Sequence, residues 1–482
     1  MRRSTVFLLV FGLFLPACGD DDTVPGTDAG DVDAGDVDAG PPVDGGAMMR
    51  SVSYMPAGCD YTVTTPDVNA AAMGSDAVGA TPSIDHVHVS WAGPTTSTFV
   101  VNWRSDSDTM LSQVLYGTDE AAVRAADGAG AGVSQQGGHT MFYSGLADPR
   151  GTGTRIHEVH VCGLMPGTRY FYKVGGSGHW SDAFDVTTGP ALGSAAPWSF
   201  AVTGDSRSDP AAAAETMQAV NSHAPDLQIF SGDTVVLGSN QPDWNAFFEA
   251  SAGAFTMQDL FAHVPFMPTN GNHDALAVNF LAQFALPQEV TPTEMAQGEE
   301  WYSFDYANAH FVVLNDQPDG RVSTAQTDWL RADLAAVNRT TTPWIFAMHH
   351  HGLYSSSLHG SNDSARAEWQ PVFDDGRVDI VFNGHDHNYE RSKPMRGFQA
   401  GTTDGALVAE GTNGVPATAE GGTMYIVAAA SGAPLYDSGT SYFTHVSEST
   451  RNYGMVEIEG RTLRFTAYRL DGSVLDMFEY TK

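Results

Sequence analysis

The sequence predicts a multidomain α+β protein, in which an N-terminal β-sandwich precedes a larger domain of alternating strands and helices. Between residues 81 and 189, short runs of alternating polarity are separated by Gly, Pro, Asp and Ser, a pattern typical of a sandwich. From residue 195 to 482, apolar runs alternate with helical stretches before strands return, which predicts sheets covered by helices. Residues 19–46 have almost nothing apolar to bury.

The first residues, "MRRSTVFLLVFGLFLPAC", predict export. Two arginines precede an apolar run over residues 6–15 that is too short to span a bilayer. The closing Leu-Pro-Ala-Cys resembles the lipobox of bacterial lipoproteins, whose cysteine is lipidated. We therefore predict a lipoprotein signal peptide over residues 1–17 and a lipid anchor on Cys18, with a plain secretory signal as the alternative. The body would then lie outside the cytoplasm in the bacterial cell envelope, held at the outer membrane.

The next segment, residues 18–80, is predicted to be an acidic, disordered tether. Residues 19–46 repeat Asp-Ala-Gly-Asp-Val and repel one another by charge, although a calcium-binding repeat is the alternative. The chain has 57 acidic against 23 basic residues, which excludes duplex nucleic acid as a general partner. Beyond the anchor two cysteines remain, Cys59 and Cys162. They could pair in an oxidising compartment, or Cys162 could stay free and buried in a strand.

The sandwich over residues 81–189 is predicted from six strand-like runs: "DHVHVSWAG", "TFVVNWRSD", "SQVLYG", "IHEVHVCGL", "RYFYKVG" and "AFDVTTG". Its Leu-x-Pro-Gly-Thr-x-Tyr turn and strand, residues 164–170, resemble a fibronectin type III repeat. Such a module serves as a binding or spacer domain and carries out no chemistry of its own.

In the larger domain, five strand-like apolar runs end in side chains that can bind a metal. The carboxyl ends of strands converge on one edge of a sheet, and a preceding glycine permits a sharp turn and close backbone approach. Asp, Asn and His together suit iron, zinc or manganese. In chain order the five groups are Asp205; Asp233; Asn272, His273 and Asp274; His349, His350 and His351; and His385 and His387.

This order resembles that of the calcineurin-like metallophosphoesterases, and the preceding sandwich narrows the resemblance to the purple acid phosphatase branch, over residues 82–482. The resemblance implies a four-layer αββα catalytic domain that holds two divalent or trivalent metal ions. By the same resemblance Asp233 bridges the metals, the first metal is held by Asp205 and His387, and the second by Asn272, His350 and His385.

The triple histidine leaves a choice of register. Members of the branch have a tyrosine or tryptophan four residues after the ligand histidine and a substrate-facing histidine nine residues after it. Tyr354 and His359 stand at those spacings from His350, so the resemblance selects His350, with His349 as the runner-up.

Four other residues are carried over as catalytic or considered for a contact with phosphate. The resemblance implies that His273, with Asp274, contacts the phosphate or protonates the leaving oxygen, while His359 faces the substrate. Arg207 stands just before a helix predicted from Asp209 as N-cap and a following proline, so it could contact phosphate or form a structural ion pair.

Two positions depart from the family pattern. Purple acid phosphatases carry an iron-binding tyrosine three residues after the bridging Asp, and Val236 stands there instead. Other metallophosphoesterases have a histidine where this chain has Arg207. The first metal would then keep Asp205, Asp233 and His387, with water or Asp209, so we expect weaker binding there and no purple colour.

The sequence therefore predicts an exported, lipid-anchored phosphoric ester hydrolase of the acid phosphatase type, acting on phosphomonoesters through a metal-activated water. A phosphodiesterase or nucleotidase using the same metals is the alternative within the class. From another class, the chain could be a non-catalytic surface-binding lipoprotein with a relic metal site. The expected partners are a phosphate ester and the membrane, through the lipid anchor. The oligomeric state is left open.

Overall fold

The structure, a computed structural model, describes residues 50–67, 76–143, 153–288, 298–317 and 320–482. The predicted signal peptide, Cys18 and the acidic repeat lie outside these ranges. Across the described ranges, no helix combines the length and the apolar character needed to cross a membrane.

The last part of the segment predicted as tether is folded. Strands β1 (Arg50–Tyr54) and β2 (Val63–Asp67) pair as an antiparallel hairpin. A disulfide joins Cys59, between these strands, to Cys162 of the sandwich. The predicted tether is thus too long at its carboxyl end, because this stretch carries two tyrosines, Tyr54 and Tyr61, whereas the acidic repeat has no aromatic residue. Of the two alternatives for Cys162, the disulfide is the one found.

The described residues of the sandwich form nine strands and one helix, with all six predicted strands present. One sheet has the order β3-β4-β8-β7, and the other has β10-β9-β5-β6 with β11 on β9. The elements are β3 (Asp85–Ser90), β4 (Phe99–Ser105), β5 (Gln113–Gly117), α1 (Glu120–Ala125), β6 (Ser134–Gly137), β7 (His139–Tyr143), β8 (Thr154–Val161), β9 (Arg169–Gly176), β10 (His179–Trp180) and β11 (Phe184–Thr187).

The first half of the larger domain alternates strands with helices, as predicted. Its elements are β12 (Trp198–Thr203), α2 (Pro210–Asn221), β13 (Leu227–Phe230), α3 (Gln241–Phe248), β14 (Ser251–Ala252), β15 (Phe255–Thr256), α4 (Gln258–Phe261), β16 (Phe266–Pro268), α5 (Val278–Gln283), β17 (Tyr302–Tyr306), β18 (Ala309–Val313), α6 (Thr324–Ala336), β19 (Trp344–His351), α7 (Asp363–Gly376) and β20 (Ile380–Gly384).

The second half is almost entirely strands. They are β21 (Tyr389–Ser392), β22 (Met395–Phe398), β23 (Gly405–Leu407), β24 (Met424–Ala428), β25 (Thr444–Glu448), β26 (Asn452–Glu459), β27 (Thr462–Arg469) and β28 (Val474–Thr481), with one 3₁₀ turn at Thr412–Gly414.

Two sheets pack face to face at the centre of this domain. The six-stranded sheet has the order β16-β13-β12-β26-β27-β28 and the seven-stranded sheet β17-β18-β19-β20-β24-β21-β25. The ring of Phe200 on β12 lies 5.1 Å from those of Phe311 and Phe346 on the facing sheet, centroid to centroid. On the outer side of the seven-stranded sheet, Leu330 of α6 and Trp369 of α7 are buried in a separate apolar cluster. The predicted α+β fold, a sandwich followed by a metallophosphoesterase domain, is confirmed.

The strand directions bring the predicted ligands together. Strands β12, β13 and β16 are mutually parallel in one sheet, and β18, β19, β20 and β24 are parallel in the other. The carboxyl ends of parallel strands lie at the same edge of their sheet, so every loop that follows them opens on that side. Four of the five ligand groups lie in such loops, and the histidine run ends β19.

Candidate metal centre

The first cluster consists of two carboxylates and one imidazole. Candidate ligand atoms of Asp205, Asp233 and His387 all lie within 4.8 Å of one another, and the three residues are buried. These are the three residues that the sequence analysis assigns to the first metal. Two buried carboxylates without a cation between them would repel each other, so this arrangement suits a bound positive ion.

The second cluster lies on the other side of Asp233. The Nε2 atom of His350 is 3.3 Å from a carboxylate oxygen of Asp233 and 3.0 Å from the side-chain oxygen of Asn272. The Nδ1 atom of His385 is 3.1 Å from that same Asn272 oxygen. The predicted ligands of the second metal are therefore in mutual contact, and Asp233 lies between the two clusters.

Backbone carbonyls fix the imidazole orientation of two of these histidines. His350 Nδ1 lies 2.7 Å from the carbonyl oxygen of Ser231, and His387 Nδ1 lies 2.7 Å from that of Pro434. A carbonyl can only accept, so each Nδ1 must carry a proton, and Nε2 is the ring atom that faces the clusters and can bind a metal once it is unprotonated. This is the usual support of a metal-binding histidine.

The structure separates the three consecutive histidines. His349 lies on the opposite side of β19, where its Nδ1 is 3.0 Å from Asp316 and its Nε2 accepts from Asn383 at 3.1 Å. A β-bulge between Met348 and His351 then places His350 and His351 together on the site side. The His351 ring is 4.1 Å from that of His385.

His351 and Asp316 are residues that the sequence analysis did not assign. The Asp316 carboxylate accepts from the backbone N–H of His351 at 2.8 Å and lies 3.2 Å from its Nδ1. Asp316 closely follows β18, so it too belongs to the set of strand-end carboxylates. The alternation of a regular strand predicts one inward histidine here, and nothing in the sequence marks the bulge that adds a second.

Glycines allow the clusters to form because a side chain would occupy the ligand positions. A Cβ atom on Gly384 would lie 2.6 Å from Asp205 Oδ2 and 2.9 Å from His350 Nδ1. At Gly232, whose φ is +95°, it would lie 2.7 Å from the same His350 atom. These distances are shorter than contacts of real Cβ atoms, so each glycine is required by close approach, as the sequence analysis expects.

His273 lies at the exposed side of the centre. Its backbone N–H donates to Asp233 at 3.0 Å, and its Nδ1 donates to the carbonyl oxygen of Val236 at 2.7 Å. With Nδ1 held in this way, Nε2 is the ring atom available to a substrate. This placement suits the predicted role in contacting phosphate or the leaving oxygen.

Asp274 is placed differently from its predicted catalytic role beside His273. Its carboxylate is buried and accepts from the backbone N–H groups of Thr234 and Gly271, both at 3.0 Å. Burial, and then the charge of Asp233, raises the pKa of Asp274 to about 7. The group connects the Asp233 loop to the Asn272 loop, so it positions ligands and does not face the substrate.

His359 reaches the mouth of the site from the serine-rich loop after β19. Its ring is 4.2 Å from the ring of His385 and 5.3 Å from that of Tyr436. The Asp386 carboxylate holds this loop by accepting from Ser355 Oγ and from the backbone N–H of His359 at 2.9 Å. Asp386, the aspartate of the Gly-His-Asp-His motif, thus positions His359.

Arg207 and Asp209 are resolved by their contacts. Arg207 Nε lies 3.3 Å from a carboxylate oxygen of Asp233. Of the two predicted roles, this contact corresponds to the ion pair. Asp209 is the N-cap of α2, where its side chain accepts from the Ala212 N–H, and it also pairs with Arg451 at 3.5 Å. The N-cap prediction is confirmed, and a residue engaged in this way is not placed to bind the first metal.

Tyr436 packs against the first cluster, and the sequence analysis missed it. Its ring stacks on the His387 imidazole with centroids 4.1 Å apart and planes 17° from parallel. Tyr389, the tyrosine just after His387 in the sequence, instead donates to Asp476 at 2.7 Å and is buried. The intervening stretch of nearly fifty residues gives no local signal that would have identified Tyr436.

The strongest electrostatic coupling in the site is between His350 and Asp233. Burial by itself lowers the pKa of His350, but the neighbouring Asp233 carboxylate outweighs it and raises that pKa to about 10. Burial raises the pKa of Asp233, yet His350 and Arg207 hold it well below its ordinary value. Burial, together with the nearby Arg207 charge, lowers the pKa of His387 to about 3. A metal ion would therefore have to release the His350 proton on binding.

The residues present fit a pair of metal ions. The Oδ2 atom of Asp205 is buried and has no hydrogen-bond partner among the described residues, which is costly unless a cation completes it. The first cluster offers carboxylates and one imidazole, and the second two imidazoles with an amide oxygen. Such mixed O and N sets suit zinc, iron or manganese.

Two family models match the chain. Residues 84–188 match "Purple acid Phosphatase, N-terminal domain", and residues 199–389 match "Calcineurin-like phosphoesterase". Purple acid phosphatase 22 of Arabidopsis thaliana is 31% identical over 317 residues, which are 61% of this chain and 69% of the relative. The "Fe(3+)-Zn(2+) purple acid phosphatase 12" of the same plant is 26% identical over 343 residues, 64% of this chain and 67% of the relative.

Solved structures share the fold. The purple acid phosphatase PPD1 from yellow lupin seeds superposes with a TM-score of 0.69 at 19% identity, covering 83% of this chain and 74% of the other. PhoD superposes with a TM-score of 0.58 at 13% identity, covering 82% of this chain and 90% of the other. At these identities the likeness concerns the fold.

Proposed function

Because the chain belongs to the purple acid phosphatase family of calcineurin-like phosphoesterases, we propose that it hydrolyses phosphomonoesters at this centre, outside the cytoplasm. The family is one of metal-dependent phosphoric ester hydrolases with a dinuclear site, and this chain is such an enzyme. The observation that carries the proposal is the convergence of the other five predicted ligands, from both sheets, around one buried carboxylate, Asp233.

When bound, the two metal ions act as Lewis acids toward the phosphoryl oxygens and acidify a water molecule. The residues proposed to hold them are Asp205, Asp233 and His387 for the first, and Asp233, Asn272, His350 and His385 for the second. A divalent pair such as zinc or manganese fits these donors, and the iron and zinc in the name of one Arabidopsis relative make iron a second choice.

Side chains at the mouth would bind and protonate the ester. We assign His273 Nε2 and the His359 ring to the phosphate and the leaving oxygen, because both face the open side of the centre. A proton given to the leaving oxygen lowers the barrier to its departure. Asp274 and Asp386 hold the backbones that carry these groups and do not themselves transfer protons.

A chromogenic phosphomonoester and the corresponding bis-ester, supplied to the zinc-, manganese- or iron-loaded protein, test the proposal. We expect turnover of the monoester to exceed that of the bis-ester, and Asn272→Ala to abolish it. A bis-ester preference would favour the phosphodiesterase alternative. No turnover of either ester, with both metals bound, would favour a binding protein with a relic site.

We also propose that Cys18 carries a lipid anchor that holds the enzyme in the bacterial cell envelope, with the tether spacing it from the membrane. The support is the lipobox-like sequence before Cys18. In a bacterial host, Cys18→Ser should move the protein from the membrane fraction to the soluble fraction without changing its specific activity. An unchanged membrane fraction would show that another feature causes attachment.

A further inference from the structure

Arg207 lies inside the first cluster and not at its edge. Its side chain is buried, with Nε 3.3 Å from Asp233 Oδ2 and Nη2 3.4 Å from His387 Nε2. We propose that its guanidinium competes with the first metal for these atoms of Asp233 and His387. This inference rests on the dinuclear centre of the proposed function, but it does not depend on turnover.

The competition follows from which atoms Arg207 uses. His387 Nδ1 donates to the Pro434 carbonyl, so Nε2 holds the only ring lone pair. Arg207 has no acceptor, so at Nη2 it must donate to that lone pair, which is the one a metal would take. At Asp233 the contact is an ion pair, with Oδ2 3.3 Å from Arg207 Nε. One lone pair cannot serve both partners at full strength.

The backbone keeps Arg207 close to these atoms. The neighbouring Ser206 donates its N–H to the Asp233 carbonyl at 3.0 Å and its hydroxyl to the Thr234 carbonyl at 2.7 Å. The Arg207 backbone therefore cannot retreat, and only the side chain can move. A metal ion entering the first cluster would lie beside the positive charge of Arg207 until the guanidinium rotates away.

The second cluster is free of this conflict. Its ligands Asn272, His350 and His385 contact one another and Asp233 Oδ1, whereas Arg207 faces Oδ2. The two metals should therefore bind with unequal affinity, and the inequality should depend on Arg207. This effect adds to the loss of the tyrosine ligand at Val236 and can be separated from it by mutation.

Metal titration in a protein with one working site isolates the effect. In a His385→Ala background, which disables the second cluster, zinc alone is titrated by calorimetry and bound zinc is counted by elemental analysis. Adding Arg207→Gln should tighten zinc binding about tenfold or more, because zinc then no longer has to displace the buried guanidinium charge. Adding Arg207→Lys, which keeps the charge on a point donor, should give a smaller gain.

Arg451→Gln is the matched control. It removes the same charge from the same region, where Arg451 pairs with Asp209, but it contacts neither Asp233 nor His387. It should leave zinc affinity unchanged. Unchanged or weaker zinc binding in the folded Arg207→Gln protein would overturn the proposal, as would an equal gain from Arg451→Gln. If Arg207→Gln does not fold, Arg207→Lys takes its place, and unchanged or weaker zinc binding in that protein would overturn the proposal. No substrate is used, so failure of the phosphatase assignment would be seen separately.

Discussion

At the scale of single residues, the centre is built on backbone conformations that most side chains avoid. Asp205, Asp233 and His385 have φ values of 54°, 56° and 71°, in the left-handed region. Each such residue costs about 1–3 kcal/mol, and strain of this kind persists where surrounding structure fixes it. The Asp205 N–H donates to the Gly232 carbonyl, and the His385 N–H donates to Asp205 at 3.0 Å. The sequence predicts glycines at these turns but not that the ligands themselves are strained.

The triple histidine gives the sharpest residue-level prediction. His350→Ala should lose the second metal, because His350 contacts both Asp233 and Asn272. His349→Ala should keep both metals but unfold at a lower temperature, by a loss of about 1–3 kcal/mol, since it removes the imidazole contacts with the buried side chains of Asp316 and Asn383. Bound metal by elemental analysis and the thermal midpoint distinguish the two. Metal loss in His349→Ala alone would show that the register is wrong by one residue.

Colour tests the missing tyrosine ligand. Tyr436 packs on the face of the His387 imidazole, whereas Nε2 is the atom of that ring that would hold a metal. The iron-loaded protein should therefore lack an intense visible band, because Val236 supplies no phenolate and the Tyr389 hydroxyl donates to Asp476. Val236→Tyr should create the band, since Val236 is partly exposed and stands where the family has its tyrosine. Val236→Phe is the control. A band in the unmutated protein that Tyr436→Phe removes would show that Tyr436 binds iron.

At the scale of elements, regular patterns were predictable and irregular ones were not. The apolar runs of β12, β13 and β20 end in ligands in the sequence as in the structure, because strand ends at one sheet edge follow from parallel pairing. The bulge in β19 was not predictable, since an additional residue in a ladder leaves no compositional mark. Likewise Tyr436 reaches His387 through tertiary packing between distant loops.

The link between β17, β18 and α6 should make stability depend on pH. His310 on β18 lies 2.8 Å from Asp305 of β17 and 2.8 Å from Asp333 of α6. Burial lowers its pKa, but the two carboxylates outweigh burial and raise it to about 9. A raised pKa means that the charged form is favoured on folding, so this stabilisation is complete below about pH 6.5 and is lost as pH rises through about 9.

His310→Gln removes the titrating group and tests that link. Between about pH 6 and about pH 10, the unmutated protein should lose about 1–3 kcal/mol of stability relative to His310→Gln, because only its charge is titrated away. Thermal or urea unfolding of both proteins at each pH gives the difference. Parallel pH profiles for the two proteins would show that folding leaves the pKa of His310 unchanged.

At the scale of the whole molecule, the two domains and the hairpin form one packed unit. The Tyr172 hydroxyl of the sandwich donates to the Ala262 carbonyl of the catalytic domain at 2.6 Å, and Trp91 lies 5.5 Å from Tyr306 across the same boundary. The hairpin is tied in by Tyr61, whose hydroxyl is 2.9 Å from His160. Composition predicts each domain separately, but these contacts between them depend on surface shape that no local pattern encodes.

The disulfide is the covalent part of this assembly, and its removal should weaken the molecule without affecting the metal centre. Cys59 and Cys162 are 103 residues apart, so the bond restricts a long loop of the unfolded chain, and its loss should cost about 2–5 kcal/mol. Cys162→Ser should therefore unfold at lower urea concentration, while the metal content stays the same. The double variant with Cys59→Ser should match the single one, because either change breaks the same bond. A protein made in a reducing cytosol should behave like the variants, since such bonds form outside it. Equal urea midpoints for Cys162→Ser and the oxidised protein would show that the hydrogen bonds of the hairpin alone hold it in place.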